Sequence, residues 1–297
     1  MTPTAVTVGT FDGVHMGHLH LLGRLEREAR SRGLEPLAVT FARHPLSTLR
    51  PGAEPPMLAP RPPRLPLRAC VLDFDRDMAA MDSRSFIAML RERLGARLLV
   101  TGFNNRLGSD GPADAARYAA EGRAEGVEVI TAEPLTLPGG TVPSSSAIRR
   151  ALSEGDTVLA ASMLGRPYSL EGVTAPGKQN GRRLGFPTLN LHTDPRRMLP
   201  ATGVYAGRVH IGGDTDTYPA VINVGPNPTL GDSNPVTVEA HAIDAALPPD
   251  MYGVEATFSF GRRLRGERRF GSLDELRGAI AADIAAARAV SADGRRS

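Results

Sequence analysis

The sequence has very little cysteine and lysine: among its 297 residues, Cys70 is the one cysteine and Lys178 the one lysine. A single thiol excludes a disulfide framework and a cysteine-rich zinc site, and such sparing use of cysteine is typical of a reducing compartment. The chain also lacks an apolar run long enough to cross a bilayer, and residues 1–11 show no signal-peptide pattern. We therefore expect a cytoplasmic protein with no membrane partner.

A strong excess of one charge is also absent. The formal net charge is +3, and nearly all of the basic residues are arginines. These arginines are scattered, except in the segment GRRLRGERR at residues 261–269, which we predict to be the solvated end of a strand. A nucleic-acid-binding protein would concentrate its basic residues on one face or along one helix. We therefore expect no nucleic-acid partner.

The hydrophobic pattern of the first half predicts an α/β domain with a parallel sheet. Short apolar segments alternate there with helical patterns, as in sheets whose two faces are covered by helices. Ligands of such sheets bind beyond the carboxyl ends of the strands. The predicted strands, each expected to be buried on both faces, are 5–8, 36–41, 69–74, 97–102 and 127–132. The predicted helices are 17–33, 83–95, 112–126, 145–155 and 156–165, the last with Asp156 as its N-cap.

The apolar period changes to two after residue 165, which predicts antiparallel strands in a barrel or sandwich. The length suits two domains, and we interpret 165–172 as a linker, so the predicted domains are 1–164 and 165–297. A final helix is expected to begin at the capping box of Ser272 and Glu275. The predicted strands of this half are 203–211, 218–225, 236–244 and 254–260.

Two histidines, His15 and His18, lie where the first predicted strand gives way to the first predicted helix. Their spacing of three places both side chains on the same side of the first helical turn. Unpaired N–H groups and the helix dipole make such a turn an anion site, and Gly9, Gly13 and Gly17 let the backbone approach a phosphate closely. A zinc pair and two helix-capping histidines are the alternatives, although no third metal ligand stands nearby in the sequence.

The segments GTFDGVHMGH (9–18) and SSSAIRRAL (144–152) resemble the two signatures of the nucleotidylyltransferase superfamily. Its members attack the α-phosphate of a nucleoside triphosphate and release pyrophosphate. The resemblance implies that Ser144, Ser145 and Arg149 hold the β- and γ-phosphates, which suits hydroxyl groups and a guanidinium group. It further implies a catalytic role for both histidines and nucleotide-binding roles for Gly9, Phe11, Gly17 and Asn104.

The second half resembles the riboflavin kinases. GKQNGRRLGFPTLNL (177–191) is similar to their glycine-rich motif, and GVYAGRV, NVGPNPT, VEAHAID and DMYG follow in the order of that family. Nearly the whole chain therefore resembles the bacterial family of bifunctional riboflavin kinase/FMN adenylyltransferases, or FAD synthetases. The family implies a Rossmann-like nucleotidylyltransferase domain followed by a small antiparallel β-barrel with a C-terminal helix. Its substrates and products are riboflavin, FMN, FAD and ATP, with Mg²⁺ as the metal.

In the kinase reaction, the resemblance implies that Thr188 and Asn190 ligate Mg²⁺ and that Glu239 takes the hydroxyl proton of riboflavin. Hard oxygen ligands suit Mg²⁺, and a carboxylate beside the nucleophile suits a general base. The implied nucleotide-binding residues are Gly177, Gly181, Arg182, Gly185 and Pro187, and the implied flavin-binding residue is Asn223. Alternatively, Glu239 is merely solvated, because it shares the polar face of its predicted strand with Thr237 and His241. We expect His241 to be a surface residue.

The first half departs from its family pattern in three places. The segment FARHP at 41–45 lacks the usual Asp-Pro pair, and the segment GFNNRLG has Asn105 and Leu107 where aromatic residues are usual. The Pro-rich segment 51–66, which we predict to contain neither a helix nor an inner strand, stands in place of a helix. Lost aromatic residues imply a poorer stacking surface for a flavin or adenine ring.

Three functions remain open at this point. The first is a bifunctional enzyme that phosphorylates riboflavin to FMN and transfers an adenylyl group from ATP to FMN, giving FAD and pyrophosphate. The second is a riboflavin kinase whose nucleotidylyltransferase half is weak, inactive or turned to another substrate. The third is a non-catalytic regulator that responds to flavin or nucleotide. The sequence does not predict the oligomeric state.

Overall fold

A computed structural model of the chain describes residues 2–177, 181, 184–212, 217–226, 236–245, 247–248 and 251–293. The chain forms two compact units, residues 1–145 and 146–297. The predicted division at residues 164 and 165 stays a prediction.

The first unit is built on a five-stranded parallel sheet with the order β3-β2-β1-β4-β5, which confirms the predicted α/β class. Because β1 lies at the centre, the loop that follows it emerges between the ends of β2 and β4, where parallel sheets bind their ligands. The strands are β1 (Thr4–Val8), β2 (Glu35–Phe41), β3 (Ala69–Leu72), β4 (Ala96–Gly102) and β5 (Glu128–Ala132).

Each predicted helix is present, and an aspartate marks the beginning of three of them. Asp82, Asp114 and Asp156 each accept a hydrogen bond from a backbone N–H of the first turn, so all three are N-caps. The helices up to residue 164 are α1 (Met16–Arg32), α2 (Leu46–Leu49), α3 (Arg76–Ala80), α4 (Ser83–Leu94), α5 (Ala115–Ala124), α6 (Ser145–Glu154) and α7 (Thr157–Leu164). The sequence did not predict the short helices α2 and α3.

The edges of the sheet correct one prediction. β3 and β5 were expected to be buried on both faces, but each exposes residues along its length, because each has a neighbouring strand on one side only. The inner strands β1 and β4 are buried almost throughout, as predicted. The Pro-rich segment 51–66 contains no helix and no strand, as predicted.

The second unit contains a closed antiparallel barrel with the strand order β10-β7-β6-β11-β8-β9, which confirms the predicted barrel. Its strands are β6 (Tyr168–Ala175), β7 (Leu189–Thr193), β8 (Gly203–Ile211), β9 (Thr217–Pro226), β10 (Val236–Ala242) and β11 (Glu255–Arg265). The segment 165–172 was interpreted as a linker, and this is wrong for most of its length because β6 begins at Tyr168. Tyr168 and Leu170 are buried in the barrel.

A C-terminal helix, α8 (Leu273–Asp293), packs against the outside of this barrel. Glu275 N–H donates to the Ser272 hydroxyl at 3.2 Å, so the predicted capping box forms this bond. The apolar contact includes Val204, Val221 and Ala287. Beside it, the Arg265 guanidinium binds the Asp283 carboxylate through two nitrogen atoms, at 3.1 and 2.8 Å, and so fixes α8 to the end of β11.

Candidate active sites

The loop between β1 and α1 has an unusual backbone. Gly13 lies in the left-handed region with a φ of 82°, and so do two residues that are not glycine, Phe11 at 46° and Val14 at 41°. Such conformations cost about 1–3 kcal/mol each and persist where the surroundings impose them, often at functional loops. Phe11 is fully buried, so its ring anchors the loop to the unit beneath.

His15 is the N-cap of α1. Its Nδ1 atom accepts a hydrogen bond from the backbone N–H of His18 at 3.3 Å, so one of the two alternatives, the capping histidine, is correct for His15. The two imidazole rings stack with their centroids 3.6 Å apart. A Cβ atom on Gly17 would lie 3.2 Å from His15 Nδ1 and 3.1 Å from the carbonyl oxygen of Pro143, so glycine makes room for this arrangement.

The ring of His18 contacts a second ring as well, because it meets Phe11 in a T-shaped arrangement at a centroid distance of 5.2 Å. Burial, and secondarily the nearby His15, lower the pKa of His18 well below its ordinary value of 6.5. His18 is therefore neutral at pH 7. Its Nδ1 atom is buried and has no hydrogen-bond partner, so it is a polar atom that a ligand could satisfy.

Ser145, near the start of the second sequence motif, contacts this loop. The Ser145 hydroxyl donates to the carbonyl oxygen of Asp12 at 2.9 Å, although the two residues lie 133 positions apart. Ser144 directly precedes α6, and Arg149 lies on that helix. The Asp12 side chain in turn accepts from the N–H of Leu58 at 3.1 Å, which attaches the Pro-rich segment to the loop.

The loop after β4 reaches the same edge of the sheet. The Asn105 side chain donates to the carbonyl oxygen of Val8 at 2.7 Å, and Asn104 is exposed beside it. Leu107 is buried in the core, where its N–H donates to the Tyr118 hydroxyl at 2.9 Å, so its position offers no stacking surface to a ligand. Phe103, which the sequence analysis did not single out, is 49% exposed at this edge.

In the barrel, three of the predicted residues form one row across neighbouring strands. Glu239 on β10 lies directly opposite Asn190 on β7 and directly opposite Asn223 on β9. Residues paired in this way point to the same face of the sheet. The residues on either side of Glu239, Val238 and Ala240, are buried inside the barrel, so the row faces outward.

Thr188 completes this cluster. Its hydroxyl lies 3.5 Å from Glu239 Oε2, just before β7 begins. A Cβ atom on Gly177 would overlap the side-chain amide of Asn190, with both Cγ and Oδ1 at 2.5 Å, so the glycine-rich segment passes directly over that side chain. The structure thus brings together Gly177, Thr188, Asn190 and Glu239.

The remaining predicted residues of the glycine-rich segment lie nearby. Gly185 has a φ of 87°, which favours glycine, and a Cβ atom on Gly181 would overlap the carbonyl oxygen of Phe186. Pro187 directly precedes Thr188 and is exposed. The predicted phosphate ligand Arg182 lies outside the described residues.

Two cavities open beside the cluster and share Thr188 and His241. The first, of about 230 Å³, is called here the glycine-loop cavity; its lining includes Gly177, Thr188, Leu189, Asn190, His241, Leu247, Met251 and Tyr252. The second, of about 270 Å³, is called the helix-side cavity; its lining includes Gly181, Thr188, Asn223, Glu239, His241, Arg265, Phe270, Leu276 and Ile280. Glu239 lines the helix-side cavity and lies 3.5 Å from the hydroxyl of Thr188, which lines both cavities.

The structure also corrects the prediction for His241. This residue was expected at the surface, but it is partly buried, its Nδ1 atom lies 2.9 Å from the carbonyl oxygen of Pro187, and it lines both cavities. Arg265, which was assigned to the solvated end of a strand, lines the helix-side cavity together with Phe270, for which no role was predicted. The acceptor of His241 lies 54 residues away, so no local sequence signal could have revealed this contact.

Comparisons with known proteins match the two halves of the chain to two enzyme families. The family model described as FAD synthetase matches residues 1–146, and the one described as riboflavin kinase matches residues 164–291. A bifunctional riboflavin kinase/FMN adenylyltransferase of Escherichia coli (strain K12) is 35% identical over 95% of this chain and 91% of its own. The enzyme of that name from Pseudomonas fluorescens is 35% identical over 96% of this chain and 92% of its own.

A solved structure, described as a macrolide-efflux protein from Streptococcus pneumoniae, has a similar fold. The TM-score is 0.82, the identity is 28%, and the match covers 97% of this chain and 95% of the other. Among the residues that the structure describes here, no helix combines the length and apolar character needed to cross a bilayer.

A parallel-sheet unit that matches the FAD synthetase model, followed by a barrel that matches the riboflavin kinase model, defines a transferase of phosphorus-containing groups. The chain belongs to the family of bifunctional riboflavin kinase/FMN adenylyltransferases. This confirms the predicted family and its role in flavin cofactor biosynthesis, in which riboflavin, FMN and FAD are handled with ATP. The cytoplasmic location stays a prediction.

Proposed function

We propose that each reaction takes place at its own site: phosphorylation of riboflavin at the barrel cluster, and adenylyl transfer to FMN at the loop between β1 and α1. The observation that carries the first assignment is the position of Glu239, which lies in a row with Asn190 and Asn223, lines the helix-side cavity and faces Thr188 at the junction of the two cavities. A phosphoryl transfer between two different substrates needs such a junction, with one substrate on each side of the reacting atoms.

In the kinase site, ATP would occupy the glycine-loop cavity and riboflavin the helix-side cavity. Gly177 brings backbone close to Asn190, while Leu247 and Tyr252 offer apolar surface to an adenine ring. The helix-side cavity combines apolar side chains with Asn223, an arrangement that suits a flavin with a polar ring edge.

The charge of the nucleotide supports a role for Mg²⁺ in this site. Of the described residues that line the glycine-loop cavity, none is lysine or arginine, yet ATP brings a triphosphate. Nor do the described residues contain a group of three His, Cys, Asp or Glu side chains that could hold a metal ion by themselves. A metal shared with the phosphates fits this donor set, and the oxygens of Thr188 and Asn190 are the ligands that Mg²⁺ prefers. When bound, Mg²⁺ neutralises phosphate charge.

The proton of the nucleophile would go to Glu239. As the 5′-hydroxyl oxygen of riboflavin bonds to the γ-phosphorus, the bond from that phosphorus to the bridging oxygen of ADP breaks, and the hydroxyl proton passes to the carboxylate. Thr188, whose hydroxyl lies 3.5 Å from Glu239 Oε2, is close enough to hold a phosphate oxygen beside the base.

In the adenylyltransferase site, the chain supplies positioning and charge compensation. The start of α1 turns the positive end of the helix dipole toward a polyphosphate. His18 presents a buried, unpartnered ring nitrogen, and Ser145 lies at the same loop. An FMN phosphate oxygen would attack the α-phosphorus and pyrophosphate would leave, with no covalent enzyme intermediate. Ser144 and Arg149 are proposed to hold the β- and γ-phosphates.

A crossed pair of variants tests both assignments. Glu239→Ala should abolish formation of FMN from riboflavin and leave formation of FAD from supplied FMN unchanged, whereas His18→Ala should do the reverse. Products are separated by chromatography after incubation with ATP and Mg²⁺. Equal loss of both reactions in either variant would contradict the independence of the sites. Absence of FAD and pyrophosphate with the unaltered chain would favour the second alternative, a kinase with an inactive partner domain.

A further inference from the structure

We propose that His241 is a positioning residue of the kinase site, which holds the segment 186–188 against β10 so that Thr188 faces Glu239. The inference rests on the proposed kinase site and adds a residue to it. His241 follows Glu239 by two positions on the same outward face of β10, and it lines both cavities. It is therefore placed between the glycine-rich segment and the proposed base.

The pairing of β7 with β10 stops just before Thr188. On β7, the residues paired with β10 are 189–191, and the last pair joins Leu189 to Ala240. One step further, Thr188 would stand opposite His241. The residue before it, Pro187, has no N–H group and cannot continue a ladder of backbone hydrogen bonds.

A side-chain contact takes over at this point. The Nδ1 atom of His241 lies 2.9 Å from the carbonyl oxygen of Pro187, and its ring meets the ring of Phe186 edge-on at a centroid distance of 5.8 Å. A carbonyl oxygen only accepts hydrogen bonds, so Nδ1 is the atom that carries the proton. A side chain thus extends the attachment of β7 to β10 beyond the ladder.

The position of this contact matters for the chemistry. Thr188 follows Pro187 directly, and its hydroxyl lies 3.5 Å from the Glu239 carboxylate. Without His241, the segment 186–188 loses its bond to β10 and the separation of these two groups is no longer fixed. Misplacement of reacting groups by about 1 Å costs up to roughly 100-fold in rate.

The test uses His241→Ala, His241→Asn and His241→Gln in the full chain. The amide nitrogen of Asn falls close to the position of imidazole Nδ1, whereas that of Gln reaches to the position of Nε2. We expect His241→Ala to lower kcat for FMN formation by about 10- to 100-fold and to raise the Mg²⁺ concentration needed for half-maximal rate. His241→Asn should recover most of both losses, and His241→Gln should not.

Two controls separate positioning from folding. His192→Ala removes an exposed histidine from β7, four residues beyond Thr188, and should leave FMN formation unchanged. Formation of FAD from supplied FMN should be unchanged in every variant. Unaltered kcat and Mg²⁺ dependence in His241→Ala would overturn the proposal, as would equal impairment of the Asn and Ala variants. Full kinase activity in Glu239→Ala would instead refute the proposed kinase site, so the two failures are distinguishable.

Discussion

Substitution of Gly177 by alanine tests the kinase site by displacing one side chain. The backbone of Gly177 is not in the left-handed region, so alanine fits its conformation. The added Cβ atom, however, would lie 2.5 Å from Cγ and Oδ1 of Asn190, which is closer than real Cβ atoms approach other atoms. The atoms in the way belong to the end of a side chain, so Asn190 would turn aside. Gly177→Ala is therefore a substitution that moves the proposed metal ligand.

The expected magnitude follows from two separate costs. Crowding of this kind destabilises a protein by about 1–3 kcal/mol. We expect a cost near the lower limit here, because Asn190 is only partly buried and its amide can rotate on the outside of the barrel. Loss of partners that merely orient metal ligands costs about 10- to 100-fold in affinity or activity, and movement of a ligand should cost at least as much. A protein with about 5–15 kcal/mol of stability remains folded after such a small loss, so a tenfold or larger loss in kinase rate would report the displaced ligand and not unfolding.

The assay measures FMN formation as a function of Mg²⁺ concentration, alongside thermal unfolding. We expect Gly177→Ala to lower the rate at least tenfold at limiting Mg²⁺, a loss of about 1.4 kcal/mol, and to leave formation of FAD from FMN unchanged. The matched control is Gly278→Ala on α8, where a Cβ atom meets nothing within 4 Å and should stabilise the helix by about 0.5–1 kcal/mol without affecting the kinase. A wild-type rate and Mg²⁺ dependence in Gly177→Ala would refute the role of Asn190.

Three further predictions concern the flavin sites. Burial lowers the pKa of His18 in the folded state, so the folded protein keeps its full stability above pH 6.5 and loses stability as the pH falls below that value. An NMR titration of His18 in the protein without ligands would contradict this if its midpoint lay at or above pH 6.5. Phe103→Ala should raise the KM for FMN or ATP in FAD formation and spare the kinase, because it removes an exposed ring at the ligand edge of the sheet, and unchanged kinetics would exclude stacking there. A mixture of Glu239→Ala and His18→Ala should convert riboflavin to FAD, since FMN made by one variant can reach the other through solution; no FAD from the mixture would contradict free exchange of FMN.

The sequence predicted those features of the fold that depend on local pattern. The central strands and the helices have clear periods, and caps such as Asp156 mark where helices begin. The strand β6 was missed because its alternation starts directly after Gly165 and Pro167, which resemble the punctuation of a linker. The exposure of β3 and β5 could not be predicted either, since the strand order that makes them edges is not a local property.

The candidate sites show the same division. Short sequence motifs were enough to single out Glu239 and Asn190. That the two residues are paired across β10 and β7 is seen only in the structure. Leu107 is the opposite case, because its position in the motif suggested a ligand surface whereas packing around Tyr118 takes it into the core. His241 was assigned to the surface because alternation along β10 places it outside the barrel, and only the path of residues 186–188 covers it.

Both proposed sites must compensate the negative charge of bound phosphates, and they use different groups to do so. At α1, a helix terminus and the pair of His15 and His18 receive the phosphate charge, and the loop conformation is held by the buried ring of Phe11. At the barrel, oxygen atoms of Thr188 and Asn190 attract a cation that comes with the nucleotide. The first arrangement is fixed by the fold, whereas the second is completed when its substrate binds. Removal of free Mg²⁺ should therefore weaken nucleotide binding more in the barrel than at α1, where the helix terminus remains in place.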